Sequence, residues 1–420
     1  MANSLVTPTK IIKEVAAELV NNIRFAKKVN RSYDSAYSEG GAKVGYTVQA
    51  RLPQRYQVTK GQALSITPVD DQVVPITVTD QAHVGLAFSS ASLTMEVDDY
   101  KKRYIMPAVH ALVNQMDYDG LSRMYKKVAN VVGTPGTTPG STGTLPAAAN
   151  IVYLSAGVKL SETAVPDPRI AMLSPEMHAY LASANLTLFN PTGAISEMFR
   201  KGQFGGEALG VSKWFETQNI PIHTVGVLGG TPLLNGIPAN GATTVVTNGW
   251  TAAVATRLLQ GDVVQIAGVY EINPLSYQST GRLKDWLITA DTASDGSGNL
   301  TMPIYPAMYV SGNQQNCSGS PATNAIVTIF SHASSYASKV SPQGLIYQED
   351  AFALVMADLE MPGGLWVSER IANKELGVSI RFLKAYSIET DQSPARLDIL
   401  YGWAAIRPEL ACRVCAGPGA

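Results

Sequence analysis

The stretch Pro107-Ala-Val-His-Ala-Leu112-Val-Asn-Gln-Met116-Asp-Tyr-Asp-Gly120-Leu-Ser-Arg-Met124-Tyr-Lys-Lys-Val128-Ala-Asn-Val131 reads as one long helix. Pro107 suits a first turn, where its missing N–H is no loss. Val109, Leu112, Val113, Met116, Leu121, Met124, Tyr125 and Val128 then recur at helical spacing as one apolar stripe. At about 1.5 Å per residue such a helix spans roughly 35 Å, long enough to be the backbone of a flat domain. Gly120 in its interior costs helix stability, which predicts a close approach of another backbone there. Asp98 and Asp99 upstream suit a helix start, and Gly133-Thr-Pro-Gly-Thr-Thr-Pro-Gly140 downstream cannot continue one.

Towards the N-terminus the period changes. Between Val44 and Thr94 short alternating runs (Val73, Ile76, Val78, then Val84, Leu86, Phe88) are interrupted by Pro53, Pro68 and Pro75, the pattern of a long β-hairpin with irregular tips. Arg51, Arg55 and Lys60 make one limb basic, and Asp70 and Asp71 make its tip or return acidic. An isolated two-stranded element is marginally stable, so this one is expected to lie on something. From Pro8 to Ala26, Ile11, Ile12, Val15, Leu19, Val20 and Ile23 give an amphipathic helix with Thr9 as its cap. Residues 1–31 carry six basic side chains (Lys10, Lys13, Arg24, Lys27, Lys28, Arg31) against Glu14 and Glu18. Either a solvated helix face or a contact with an acidic partner explains that excess.

Towards the C-terminus, residues 150–221 alternate short strands and helices. Arg169–Leu173 is a strand candidate, and Ser174-Pro175-Glu176 has the cap, first-turn proline and acid of a helix start. From Ile222 to Gln343 only nine residues in 122 are charged. Thr243–Thr247, Val263–Ile266 and Ile326–Phe330 are β-branched runs between Asn, Gly, Pro and Ser clusters, as in a small inserted β-barrel. Helical and mixed signals return over Glu349–Glu360, and strands are expected around Ser379–Leu383 and Leu397–Trp403.

Composition narrows the function. The 420 residues favour two or three domains. With 45% hydrophobic and 15% charged residues, against about 25% charged in ordinary domains, the chain has little charge to cover a monomer's surface, so much of it is expected to face other subunits. A formal net charge of -1 removes the argument for nucleic-acid binding through a global basic field. Lys10, Lys13, Glu14 and Glu18 break any export-signal core, and the apolar run Ala351–Ala357 is far short of the roughly 20 residues a bilayer needs. The chain reads as soluble and cytoplasmic at synthesis, with no membrane partner.

Chemistry is sparse. Cys412-Arg413-Val414-Cys415 has redox or half-zinc spacing but no second ligand pair nearby, so two ordinary cysteines are expected, and three in all do not make a disulfide framework. His83, His110, His178, His223 and His332 share no ligand spacing. Gly202–Gly206 and Gly226–Gly230 lack the lysine and setting of a phosphate cradle, and no Gly-x-Ser-x-Gly or His-Glu-x-x-His motif occurs. No catalytic, cofactor or metal site is expected.

Three stretches carry a family resemblance. Tyr401-Gly-Trp-Ala-Ala-Ile-Arg407-Pro-Glu409 is similar, at the same distance from the chain end, to the Tyr-Gly, Ala and Arg-Pro-Glu signature of coat proteins of the Salmonella short-tailed phage type. Gly261-Asp-Val-Val-Gln-Ile-Ala-Gly-Val269 resembles that family's Gly-Asp, alternating-strand and Ala-Gly-Val element, and Phe199–Gly202 through Leu209-Gly210 to Ile220-Pro221 the stretch before its insertion. The resemblance implies an α+β Hong Kong 97 capsid fold: an N-terminal arm over 1–45, an extended loop over 46–80 and a peripheral domain with the spine helix over 81–149. An axial domain would follow over 150–221 and 344–420, interrupted by the β-rich insertion 222–343. It also implies a virion subunit assembled in the host cytoplasm into pentamers and hexamers around a scaffolding protein, with a portal protein, a possible decoration protein, and packaged DNA touched non-specifically if at all. Leu228–Gly241 departs from the family, whose loop there is charged. Arg51, Arg55, Lys60, Asp70 and Asp71 are candidate intersubunit contacts, and Arg24, Lys27, Lys28 and Arg31 a candidate scaffold-facing or interior-facing arm. The rival readings are an encapsulin-like compartment shell and a β-rich hydrolase, which would need two convergent carboxylates.

Overall fold

Strands dominate the computed structural model, which describes residues 24–33, 47–58, 60–62, 71–89, 104, 106–141, 147–186, 207–330, 336–365, 367–373 and 378–417. The expected arm helix over 8–26 lies almost wholly outside the described residues. In chain order the elements are β1 (Thr47–Arg51), β2 (Val73–Thr77), β3 (Asp80–Ser89), α1 (Met106–Met124), β4 (Val131–Gly133), α2 (Ala147–Glu162), β5 (Arg169–Leu173), α3 (Pro175–Leu186), β6 (Lys213–Glu216) and β7 (Ile222–Thr224). Then come β8 (Leu233–Leu234), β9 (Ala242–Asn248), β10 (Ala255–Leu258), β11 (Val263–Ile272), β12 (Ser279–Ile288), β13 (Thr292–Ser294), β14 (Leu300–Met308) and β15 (Val327–Ile329). The chain closes with β16 (Val340–Gln348), β17 (Phe352–Met356), β18 (Val367–Asn373), β19 (Val378–Lys384), β20 (Gln392–Ala405) and β21 (Ala411–Cys415).

Two compact units result. The first takes Met1–Arg51, Val73–Gly120 and Phe352–Ile406, the second Leu52–Gln72, Leu121–Ala351 and Arg407–Ala420. In the first, β20 is the organising strand. Gln392–Tyr401 pairs with β3 along one side, while the other side takes β19 at Ala395–Asp398 and β17 at Tyr401–Ala405. β1 and β2 form a separate antiparallel pair, Thr47 opposite Thr77 and Arg51 opposite Val73.

Three expectations change here. The hairpin is shorter than its alternation implied, because Val84 and Leu86 belong to β3, whose partner is β20 and not the first limb. Glu349–Glu360 holds no α-helix, only a 3-10 turn over Glu349–Ala351. Phe352–Met356 is a strand buried at every position, and an apolar run of five, too short to show a period, suits a central strand as well as a helix. The long helix ends at Met124 and tightens into a 3-10 turn over Tyr125–Lys127. Val128 is already extended, and Val131–Gly133 runs parallel to β21, so sheet hydrogen bonds claim residues whose apolar spacing alone would have continued the helix.

The second unit contains an α/β layer and a barrel. The layer's sheet runs β4-β21-β16-β5-β6, with β7 also on β16. Arg169–Leu173 and the start of α3 at Pro175 agree with their sequence reading, and Ser174 Oγ accepts the Met177 N–H at 3.2 Å as the cap. Helix α2 buries Ala149, Tyr153, Ala156 and Leu160, with Tyr153 edge-on to Trp214. The inserted sheet runs β15-β11-β12-β14-β9-β8. Its two end strands meet: Leu233 bridges Ile326, Leu234 N–H donates to Ala325 O, and Val327 N–H donates to Pro232 O. The sheet therefore closes into a barrel around Leu234, Val245, Val264, Ile266, Trp286 and Met302. The chain enters and leaves it side by side, with Ile222–Thr224 paired to Val340–Pro342.

Candidate assembly surfaces

The closing motif builds the first unit's core. Tyr401 Oη donates to Asp119 Oδ2 at 2.6 Å, tying β20 to α1. Gly402 faces the Thr77–Val78 backbone so closely that an added Cβ would lie 2.1 Å from Thr77 O. Trp403 fills the space over Gly120, so the neighbour that requires glycine in α1 is an indole ring and not the backbone expected from sequence. On Trp403 stacks Phe25, with centroids 5.1 Å apart. Asn30 then exchanges hydrogen bonds with the backbone of Phe352 and Leu354, continuing this clasp onto β17.

Asp117 locks the same segment. Its carboxylate accepts the backbone N–H groups of Arg24, Phe25 and Ala26 at 2.8, 3.2 and 3.0 Å. Burial pushes its carboxyl pKa up, against those donors, which pull it down. Asp117→Ala removes the carboxylate that accepts all three N–H groups and is expected to cost about 2–3 kcal/mol. Hydrogen exchange should show faster exchange at Phe25 and Ala26, while unchanged protection there would sink this account of the clasp.

The basic arm residues lie on that clasped segment: Arg24 and Lys27 are exposed, Lys28 and Arg31 half-buried. Of the hairpin candidates, Arg51 and Lys60 are exposed, and Asp70 lies outside the described residues. Arg55 Nη2 lies 3.9 Å from Glu409 Oε1, and exposed Asp71 accepts Gln54 Nε2 at 2.6 Å. Arg55 and Lys60 do not pair with Asp71 within the described residues. Glu409 also receives Arg407 Nε at 3.2 Å, so the Arg-Pro-Glu end of the motif gathers two arginines on one carboxylate.

Reading by sequence missed the polar joint between barrel and α/β layer. Lys159 of α2, buried, bonds Asp285 of β12, which also accepts Gln265 Nε2 and the Val131 N–H. A lysine between Val158 and Leu160, on the helix's apolar side, was the available signal. At the end of α2, Glu162 pairs with Arg282 Nε at 2.8 Å, and its carbonyl accepts Asn273 Nδ2. On the far side Asp262, fully buried, lies 2.9 Å from His223 Nε2 and accepts the Gly226 and Leu259 N–H groups, which gives the Gly-Asp element a structural task.

Cys412 and Cys415 are buried on β21. Three residues apart on a strand, they project to opposite faces, and burial pushes the Cys412 thiol up to about 12 and raises that of Cys415. Between them Arg413 is fully buried, its guanidinium 5.9 Å from the Tyr125 ring centroid. Among the described residues no group of three or more His, Cys, Asp or Glu is placed to hold a metal ion, and no helix is long and apolar enough to cross a membrane.

Among solved structures, one from Mycobacterium phage Che8 matches with TM-score 0.50 and 12% identity over 93% of this chain and 90% of that one. The capsid structure of cyanophage P-SCSP1u matches with TM-score 0.44 and 11% identity over 89% and 84%, and the capsid of Ralstonia phage GP4 with 0.43 and 10% over 94% and 89%. No curated protein matches the chain. The fold is the Hong Kong 97 capsid fold, mixed α and β, with a barrel-like sheet within it. The family model described as P22 coat protein, gene protein 5, matches residues 1–416. Its role is accordingly structural: copies of the chain build the capsid of a phage virion. The chain belongs to the P22 coat protein family.

Proposed function

We propose that this coat protein assembles in the host cytoplasm into pentamers and hexamers around a scaffolding protein, that the shell closes on a portal protein, and that it expands as double-stranded DNA is packaged. The observation that carries this is the match of the coat-protein family over residues 1–416. In this reading residues 46–80 form the extended loop that reaches a neighbouring subunit, 81–149 the peripheral domain, and 150–221 with 344–420 the axial domain around the inserted barrel 222–343. Arg51, Lys60, Asp70 and Asp71 supply charge to the loop's contacts, each exposed pair worth only about 0–1 kcal/mol but repeated over a closed shell. Arg55 must exchange its partner Glu409 to join them.

Arg24, Lys27, Lys28 and Arg31 form the surface offered to the scaffold. The Asp117 clasp supports this, since it holds the backbone of Arg24–Ala26, at the start of that segment, in place before any partner arrives. The low charge content supports extensive burial between copies. Electron microscopy of the protein expressed with and without its scaffolding partner tests the reading. Closed, uniform icosahedral particles that depend on the partner are expected. Soluble monomers under every assembly condition would overturn the scaffold-directed route, and shells that instead enclose a bacterial cargo protein would favour the encapsulin-like alternative.

A further inference from the structure

Helix α2 carries large apolar side chains on both faces, with Ser155 half-buried and Ser161 exposed beside the outward ones. Ala149, Tyr153, Ala156 and Leu160 face the unit's own core. Ile151, Leu154 and Val158 face outward, 58, 39 and 41% exposed. Spaced three and four residues apart, they make one stripe along the helix. Neither charged side chain of α2 interrupts it: Lys159 turns inward to Asp285, and Glu162, at the C-terminal end, is held by Arg282. A surface helix normally sets mostly polar residues opposite its buried face, so three large apolar side chains exposed in one stripe there mark a surface that is covered by something.

The barrel extends the stripe. Asn273, in the turn between β11 and β12, donates to the Glu162 carbonyl at 2.8 Å, and its Oδ1 accepts the Leu275 N–H at 2.9 Å. These bonds fix Leu275, 75% exposed, at the C-terminal end of α2.

We propose that Ile151, Leu154 and Val158, continued by Leu275, form a contact surface covered by a second copy of this chain in the assembled shell. The inference rests on the capsid reading. A second copy is the occupant because the chain's 15% charged residues imply extensive burial between neighbouring copies in the shell, and because Ile151, Leu154, Val158 and Leu275 carry no cation for nucleic-acid phosphates and no charge to select a polar partner. The Asn273–Glu162 and Arg282–Glu162 bonds make barrel and helix one side of that contact, so the joint positions Leu275 for the neighbour.

Cys317, Cys412 and Cys415 are all buried, so Leu154→Cys and Leu275→Cys each add one accessible thiol to the full-length protein. Labelling with a small maleimide compares unassembled subunits with closed shells. Both variants should label readily as subunits and at least tenfold more slowly in shells. Leu154→Glu should keep the subunit's circular dichroism and melting profile while lowering shell yield at least tenfold. The contact is overturned if Leu154→Cys labels as fast in shells as in subunits, or is already protected in the unassembled subunit, which would mean that the chain's own residues cover it. Absence of wild-type shells would instead overturn the capsid reading, whereas intact shells with a freely labelled Leu154→Cys overturn only this contact.

Discussion

Gly402→Ala is expected to be severely damaging for a single added methyl group. The new Cβ would lie 2.1 Å from Thr77 O and 2.9 Å from both Thr77 C and Val78 Cα. All three are backbone atoms, so no rotamer change relieves the overlap, and either β20 or the segment after β2 must move. Inserting a methyl into a packed site typically costs 1–3 kcal/mol when side chains can adjust. Here a loss of about 3 kcal/mol or more is expected, read as a lower melting temperature of the unassembled subunit and a larger insoluble fraction. A graded series isolates the cause. Gly120→Ala meets the Trp403 ring at 2.5 Å, a side chain with some freedom, and should cost less. Gly85→Ala, on the edge strand β3, meets no atom within 4 Å and should stay within about 0.5 kcal/mol of wild type. Equal melting temperatures for the Gly402 and Gly85 variants would remove steric contact as the reason for glycine at 402.

The second large effect is at the barrel joint. Lys159→Met keeps the helix apolar and close to its volume but leaves the Asp285 carboxylate buried with only Gln265 Nε2 and the Val131 N–H as donors. Removing one partner of a buried pair costs about 3–5 kcal/mol, mostly as the penalty on the charge left behind. The double variant Lys159→Met with Asp285→Leu removes both charges and should recover most of the loss, whereas Asp285→Leu alone should also be severe. Trp286, buried beside Asp285 on β12, reports the change by fluorescence during unfolding. Additive losses in the double variant would show that the pair is not coupled. Burial by itself would lower the Lys159 pKa, but the attraction of Asp285 outweighs it and raises it above the ordinary lysine value. A raised folded pKa means that this stabilisation is complete below the unfolded value of about 10.4 and is lost as pH rises through the folded one. On the alkaline side the joint should therefore hold through the neutral range and weaken in strong alkali.

Legibility followed the range of the interaction. The cap at Ser174, the strand Arg169–Leu173 and the barrel strands could be read because the residues that decide them are neighbours in sequence. The end of the long helix could not, because Val131 is taken by β21, whose Arg413 pairs with it from the far end of the chain. Phe352–Met356 was ambiguous for the same reason, its strand character coming from β20. The basic clasp and the hairpin charges were visible as residue types, but their partners were not: Asp117, Glu409 and Gln54 carry no local mark of those roles.

The amino-acid sequence alone determined most of the helices, strands and turns, where the charge-poor barrel sits in the order of parts, and, through the closing Tyr-Gly and Arg-Pro-Glu motif, the family. These are properties of local period, cap chemistry and composition, which act over a few residues. Tertiary structure decided what each buried polar or crowded group meets. Gln81 and Arg381 converge on the buried Asp398 carboxylate, the former across 317 positions of sequence. Gly402 is required by Thr77, and Lys159 is tolerable in an apolar helix because Asp285 is there. A buried charge or a missing side chain has its energy set by the atoms within a few ångströms of it, and only the folded chain brings those atoms together.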